Sequence, residues 1–321
     1  MKNLINAVLL IVFVIASISV SAQYPTKPIR LIVPFPPGGA LDLTARLLGQ
    51  RLSASLGQPF IVDNRPGASG AIGEDFVSHS APDGYTILYA PGADFTIRKF
   101  LSKTSKLDPI KDFILIATVV ASVSCIVTST SLPVNSIKEL VDYAKRNPGK
   151  LSYASPGEGT YMHLTGELLK QHGLHMVHVP FKGLAPAMTA LAGGHVDVAV
   201  TNFAAAAPHI RDGKARILAV IGTKRYEGAP TVPTVGEALP GFNMPLAWYG
   251  FFGPPGVPQG IVLKLNAEIA KALEAPEVSS KLREINVITI ITPAEELPAF
   301  ISNMAESFSK IIKTAGIQPV D

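Results

Sequence analysis

The sequence predicts an α/β protein of two domains, with a largely parallel sheet in each. The chain has 321 residues, which corresponds to about two domains of ordinary size. Apolar strand-like runs alternate with segments of helical periodicity, and turns rich in proline and glycine separate them. A strand–turn–helix unit at residues 31–46 also has a counterpart at residues 151–171. Together these observations predict two domains that share one kind of building unit.

The first unit begins with the apolar strand Leu31–Val33, continues through a turn from Phe35 to Gly39, and leads into a helix containing Leu41. A helix that starts directly after such a turn has unpaired backbone N–H groups at its positive dipole end, which favours an anion. The phosphate-loop and dinucleotide-binding glycine patterns are both missing, so a carboxylate is the simpler guest. The alternative is that Gly38 and Gly39 serve only a tight turn.

The next segments continue the alternation. Residues 60–62 and 85–89 are predicted strands, and a helix through residues 76–77 lies between them. In sheets of this kind, ligands gather beyond the carboxyl ends of the strands. The turns after Val33 and Tyr89 are therefore expected to lie near a site.

The second unit follows a long apolar run at residues 114–127, which we interpret as two strands joined by a hinge near residues 120–124. Residues 151–155 form a strand, a turn rich in glycine follows, and the helix at residues 160–171 starts there. If the two turns face each other across a cleft, they can hold one anion from both sides. The sequence leaves that arrangement as a hypothesis.

Later segments define the domain boundaries. Strands are predicted at 177–181, 196–200 and 216–221, a strand at 248–252 crosses back to the first domain, and helices follow at 261–273 and 293–315. Domain 1 is thus expected to be discontinuous, comprising residues 23–122 and 249–321, with domain 2 at residues 123–248. The chain crosses between them near residues 120–125 and 245–252.

Composition limits the possible functions. Hydrophobic residues make up 47% of the chain and charged residues 16%, which indicates a globular protein with a substantial core. The net charge of +4 comes from scattered lysines and arginines, so we do not expect a nucleic-acid partner. The single cysteine, Cys125, excludes an intramolecular disulfide and is expected in a buried strand.

The first 22 residues have the features of a signal peptide. Lys2 precedes an apolar run from Leu4 to Ala16, and Val20-Ser21-Ala22 is a small-residue cleavage site, so cleavage is expected after Ala22. The alternative, a membrane anchor, is disfavoured because the run is short for a span of about 20 residues. The mature protein is expected to be exported.

Several segments carry a specific resemblance. The chain contains YPTKPIRLIVPFPPGGALDLTAR, VDNRPGASGAIG, APDGYTIL, NPGKLSYASPGEGTYMHL, GGHVDVAV and WYGFFGPPGVP in this order. In these motifs it resembles the Bug family, the periplasmic receptors of tripartite tricarboxylate transporters. The resemblance implies a two-lobed, type II-like periplasmic binding protein that closes on a small dicarboxylate, tricarboxylate or aromatic carboxylate. It also implies transient contact with membrane transporter subunits and no cofactor, and we expect a monomer.

The resemblance further implies which residues bind the ligand, mainly through backbone groups and bridging waters. In the first turn these are Phe35, Pro37, Gly38, Gly39, Ala40 and Asp42; in the second they are Ser155, Gly157, Gly159, Thr160 and His163; and Gly92, Asp94, Lys182, Gly183, Thr201, Asn202 and Phe203 shape the distal pocket. One departure is Leu184, where the family pattern leads us to expect a second glycine. The contact at Lys182-Gly183 is therefore left open.

Two of these residues have alternative roles. Asp42 would repel a bound carboxylate, so we favour a structural role in which it holds the turn and pairs with Arg46 at i,i+4 spacing. A water-mediated contact with the ligand is the alternative for Asp42. His163 either donates to the ligand or caps and packs its helix.

Catalysis and metal binding are disfavoured. His172, His175 and His178 span a helix end, a turn and a strand, so they are not expected to converge on a metal. No nucleophile elbow is present, and Ser155 has no evident histidine or aspartate partner in sequence order. We therefore expect a binding protein that is not an enzyme, with a periplasmic sensor and an exported hydrolase as the alternatives.

Overall fold

The structure is a computed structural model that describes residues 24–103 and 107–319. The predicted signal peptide lies outside the described residues. Eleven strands in this part of the chain form two sheets, and helices flank both. The predicted α/β class with two sheets is confirmed.

The first sheet has six strands in the order β11-β4-β10-β3-β1-β2. Its strands are β1 (Ile29–Val33), β2 (Phe60–Asn64), β3 (Thr86–Pro91), β4 (Ile114–Ser122), β10 (Ala247–Gly253) and β11 (Val287–Thr289). The second sheet has five strands in the order β7-β6-β8-β5-β9. They are β5 (Ser124–Ser129), β6 (Ser152–Ser155), β7 (Val177–Pro180), β8 (Val198–Asn202) and β9 (Ala215–Ile221).

The sheets are mixed, which corrects the prediction that each is mainly parallel. Strands β1, β2 and β3 are parallel, and so are β6, β7 and β8, because a helix connects each pair in sequence. The strands β10 and β5 pair antiparallel with both of their neighbours. These two strands enter their sheet from the other lobe, without the helical crossover that a parallel connection requires.

The helices follow the strands closely. They are α1 (Ala40–Leu56), α2 (Ala71–Ser78), α3 (Gly92–Leu101), α4 (Ile137–Arg146), α5 (Tyr161–Gln171), α6 (Leu184–Ala192), α7 (Phe203–Arg211), α8 (Val235–Ala238), α9 (Gln259–Glu274), α10 (Pro276–Glu284) and α11 (Leu297–Thr314). In α1, Leu41, Ala45, Leu48 and Leu52 are buried, as the spacing of its apolar residues predicts. Helices α3, α8 and α10 and strand β11 were not predicted from the sequence.

The chain passes between the sheets at two places. Only Val123 separates β4 of the first sheet from β5 of the second, and the segment 222–246 joins β9 to β10. Helix α5 of the second lobe packs against the first, because Tyr161 makes an edge-to-face contact with Phe308 of α11 at 6.3 Å. None of the helices in the described residues is long and apolar enough to cross a membrane.

Candidate ligand-binding site

A cavity of about 330 Å³ lies between the two sheets. One wall comes from the first turn and the start of α1, together with Asp94 on α3 and the start of β10. The other wall comes from the start of α5, from residues 182–189 and from α7. The cavity therefore lies at the carboxyl ends of strands from both lobes, where ligands of α/β proteins gather.

The first turn presents open backbone donors to this cavity. Gly38 has a φ of +95°, and its N–H donates to Asp42 Oδ2 at 3.0 Å. Within the described residues, the N–H groups of Gly39, Ala40 and Leu41 have no protein acceptor. They start a helix of 17 residues, so the positive end of its dipole is directed at the same place. Phe35, Pro37, Gly38, Gly39 and Ala40 all line the cavity.

Asp42 is buried behind the turn and does not line the cavity. Besides Gly38, its carboxylate accepts from Arg46 Nε and Asn64 Nδ2, each at 3.0 Å. Burial alone would raise the pKa of Asp42, but the donors of Arg46, Asn64 and Gly38 lower it below its usual value. This geometry supports the structural role: Asp42 stays ionised and holds the first turn in place.

The second turn uses two of its backbone donors internally. The N–H of Gly157 donates to Ser155 Oγ, and the N–H of Gly159 donates to His163 Nδ1, each at 3.2 Å. Thr160 is the N-cap of α5, since its hydroxyl accepts from His163 N. Gly157 and Gly159 line a wider groove of about 1500 Å³ between the lobes instead of the smaller cavity. The first turn therefore has the longer run of open donors.

Ser155 and His163 lie inside the second lobe. Ser155 Oγ lies 2.7 Å from His178 Nε2, which corrects the expectation that this serine has no histidine partner. The ring of His178 stacks between those of His163 and Tyr153, with centroids 4.4 and 4.7 Å away. Burial lowers the pKa of His163. Burial and the neighbouring His163 also lower the pKa of His178, to about 4. Both rings are neutral at physiological pH, and they support the second turn from behind.

Asp94 connects the two lobes. It lies in the first turn of α3, and its Oδ1 accepts from the N–H of Tyr161, the first residue of α5, at 2.7 Å. Burial raises the pKa of Asp94 to about 6, although the Tyr161 N–H and the charge of Arg98 oppose the shift. The start of α5 thus already holds a carboxylate that the protein itself provides.

The remaining predicted residues lie at different depths. Lys182 is exposed at the cavity rim, Gly183 is the N-cap of α6 with a φ of +118°, and Asn202 caps α7 by accepting from Ala205 N at 2.9 Å. All three line the cavity, as does Leu184. Thr201 and Phe203 do not line it, and the Phe203 ring packs on Tyr226 at 5.4 Å.

Sequence reasoning missed several residues that line the cavity. They include Leu43, Ser122, Tyr161, Met162, Met188, His209, Trp248 and Tyr249. Trp248 and Tyr249 carried a usable signal, since they stand where the predicted strand crosses back to the first lobe. Within the described residues, no group of three His, Cys, Asp or Glu side chains is arranged to hold a metal ion.

Gly92 supports the cavity wall through Trp248. It does not line the cavity, and a Cβ built on Gly92 would lie 2.2 Å from Cη2 of the Trp248 ring. The indole is fully buried and packs edge-to-face on Phe300 at 4.9 Å. The absence of a side chain at position 92 therefore allows the indole to approach α3.

We expect Gly92→Ala to lower the free energy of unfolding by about 1–3 kcal/mol, because the added methyl group overpacks this contact. Urea unfolding followed by tryptophan fluorescence measures both the stability and the environment of Trp248, the single tryptophan. Gly39→Ala is the matched control, since a Cβ built there meets no atom within 4 Å. Equal stability of the two variants would contradict the packing role of Gly92.

Two sheets with a cavity between them, and helix starts directed into it, define a two-lobed solute-binding protein. The chain belongs to the tripartite tricarboxylate transporter receptor family (TctC), whose family model matches residues 44–317. Proteins of this family are periplasmic binding receptors and not enzymes. The family assignment also confirms the resemblance on which the sequence analysis relied.

Relatives with names or bound ligands support the assignment. The chain is 33% identical to the protein BugT of Bordetella pertussis over 296 residues, which is 91% of this chain and 90% of BugT. It is similar to the structure of Rpa4515 of R. palustris with adipate, with a TM-score of 0.88, 33% identity, and coverage of 92% of this chain and 100% of that one. For MatC of Rhodopseudomonas palustris with bound malate, the TM-score is 0.81 and the identity is 28%, with coverage of 90% of this chain and 100% of MatC.

Proposed function

We propose that this chain captures a small carboxylated solute in the cavity between its lobes and delivers it to the membrane subunits of a tripartite transporter. The observation that carries the proposal is the set of open N–H groups at Gly39, Ala40 and Leu41, which start a long helix at the cavity wall. Family membership supports the same function, since related structures hold adipate and malate. Residues 1–22 would direct export of the chain.

In this proposal the carboxylate binds mainly to backbone donors. Its oxygens accept from the open N–H groups, and the dipole of α1 adds a favourable charge interaction. Asp42 does not oppose binding strongly, because Arg46, Asn64 and Gly38 already neutralise and occupy its oxygens. The N–H of Gly38 donates to Asp42, so the N–H groups of Gly39, Ala40 and Leu41 remain for the solute.

Capture and release require the lobes to move. We assign residues 23–122 and 249–321 to one lobe and residues 123–248 to the other, with Ala247 and Trp248 at the crossing because they pair with β4 of the first sheet. Val123 and the segment that precedes Ala247 then act as the two hinges, since each joins strands of different sheets. Opening at these hinges would expose the cavity, and closure would shield the bound carboxylate from water.

Gly39→Val tests the position of the carboxylate. Gly39 has a φ of −84°, which any residue adopts, and a Cβ built on it meets no atom within 4 Å. The variant is therefore expected to fold, while its side chain occupies the space over the open donors. We expect affinity for the bound carboxylate, measured by calorimetry, to fall by about tenfold or more, equal to about 1.4 kcal/mol.

Ala54→Val is the matched control, because it introduces the same side chain at an exposed position of the same helix. It should bind as the unmodified protein does. Unchanged affinity in a folded Gly39→Val protein would remove the first turn from the site. A calorimetric screen in which no organic acid binds would contradict the proposed function itself.

A further inference from the structure

The cavity of this chain has one open carboxylate site and one site that the protein fills itself. We propose that it selects monocarboxylates with an apolar body over dicarboxylates and tricarboxylates, and that Asp94 is the residue that determines this selectivity. The inference rests on the proposed function, since it names the class of solute that the same cavity takes.

The first step concerns the two helix starts. The start of α1 offers open N–H groups, whereas the first N–H of α5 donates to Asp94 Oδ1 at 2.7 Å. Gly157 and Gly159, which precede α5, donate to Ser155 and His163. A second carboxylate of a solute would therefore meet a helix start whose first N–H is already satisfied, and with it the oxygens of Asp94.

The second step concerns charge. Asp94 lines the cavity and is only 8% exposed, so its negative charge is poorly screened there. The groups that face it are Arg98 on its own helix, Glu74 on α2, the phenol of Tyr249 on β10, and Tyr161 on α5. Arg98 is the only cation among them, and it already donates to Glu74 and to the carbonyl oxygen of Ser69. It is not free to neutralise a second anion.

The cavity provides little other positive charge. Of the residues that line it, only Lys182 carries a full positive charge, and it is exposed at the rim; His209 is the one lining histidine. One lysine and one helix start balance a single carboxylate together with Asp94. A second or third carboxylate would enter a buried space that supplies no further cation, which is strongly unfavourable.

The rest of the wall favours an apolar body. Leu41, Met162, Met188 and Trp248 are buried residues that line the cavity, and Ala204 and Ala247 also line it. Methionine side chains adapt to the shape of a guest, and an indole offers a flat apolar face. A solute with one carboxylate and a ring or branched chain fits such a wall, while a short polar diacid such as malate leaves it unused.

Calorimetric titration of the mature protein with benzoate, phenylacetate, malate and citrate tests the inference. We expect the better of the two monocarboxylates to bind at least about tenfold more tightly than malate or citrate. Asp94→Asn removes the charge, and its amide oxygen can still accept from Tyr161 N. In this variant we expect the affinity for malate to rise by about tenfold and that for benzoate to rise by less, so that the preference for the monocarboxylate narrows.

Asp75→Asn is the matched control, because it removes the same charge from an exposed side chain outside the cavity. It should change neither affinity. If malate or citrate binds the unmodified protein more tightly than both monocarboxylates, the selectivity is overturned while the proposed function stands. If selectivity is present but Asp94→Asn leaves it unchanged in a folded protein, the role of Asp94 is overturned. If none of the four acids binds, the selectivity for apolar monocarboxylates is overturned, and a wider screen in which no organic acid binds would overturn the proposed function as well.

Discussion

Replacing Arg98 with methionine is expected to lower the free energy of unfolding by about 3–5 kcal/mol, the usual cost of breaking a buried ion pair by removing one partner. The Arg98 side chain is only 5% exposed, and its carboxylate partner, Glu74, is fully buried. Burial raises the pKa of Glu74, and Arg98 opposes that rise. Without the guanidinium, Glu74 must either stay charged in an apolar environment or take up a proton.

Arg98 also supports the loop beside the second turn. Its Nη2 donates to the carbonyl oxygen of Ser69, which lies in a run from Gly67 to Gly70 whose φ angles are all positive. Ala68 and Ser69 have φ values of 47° and 52°, a conformation that is unfavourable for residues with a side chain. The loop reaches the other lobe, since a Cβ built on Gly157 would lie 2.5 Å from Ser69 Oγ. Loss of Arg98 is thus expected to affect the contact between the lobes as well as stability.

Urea denaturation of Arg98→Met, Glu74→Leu and the double variant measures the effect. The double variant should be more stable than Arg98→Met alone, because apolar side chains then replace both charges. Arg46→Met is the matched control. Like Arg98, Arg46 pairs with a buried carboxylate, here that of Asp42, but the Arg46 side chain is 50% exposed. Its loss should cost less than about 1 kcal/mol. An equally small loss of stability in Arg98→Met would show that the buried ion pair does not stabilise the fold.

Most of the fold could be predicted from the sequence because its signals are local. Alternating apolar runs and helical periodicity identified the α/β class and most strands. The direction of β5 and β10 is not a local property, since it depends on the lobe from which each strand enters its sheet. A short strand such as β11, which has three residues of which two are exposed, has too little periodicity to be recognised.

The first turn could also be predicted, because its strand, glycines and helix are contiguous and the open donors belong to its own backbone. The second turn could not be judged in the same way. The N–H groups of Gly157, Gly159 and Tyr161 are satisfied by side chains. One of the acceptors, Asp94, is 67 positions away from Tyr161 in the chain. The histidine beside Ser155 is likewise 23 positions away. Such contacts depend on tertiary packing, which spacing in the sequence does not reveal.

Two aspartates in the first turns of their helices illustrate the same limit, and we expect their stability effects to have opposite pH dependence. Both Asp42 and Asp94 are buried. Asp42 accepts from Gly38, Arg46 and Asn64, whereas the one hydrogen-bond donor to Asp94 in the described residues is Tyr161 N. The pKa of Asp42 is therefore below its usual value, and that of Asp94 rises from 3.8 to about 6.

For Asp94 the sign follows from proton binding. Between its unfolded pKa of 3.8 and its folded pKa of about 6, the folded state binds more protons, so stability falls as the pH rises and the loss is complete above that range. Asp94→Asn lacks this loss. Between about pH 4 and about pH 8, the free energy of unfolding of the variant should rise by about 2–3 kcal/mol relative to that of the unmodified protein.

Asp42→Asn is the opposite case and serves as the control. Because its folded pKa is lowered, Asp42 contributes stability that is present above its unfolded pKa and is lost as the pH falls through the folded value. The cost of Asp42→Asn should therefore be largest at neutral pH and shrink in acid. Urea unfolding of both variants across this pH range gives the two curves. Parallel curves would contradict the assignment, since they would mean that burial and hydrogen bonding act equally on the two carboxyls. Divergent curves would show that Asp94 remains destabilising when ionised, as expected of a charge retained for selectivity and not for stability.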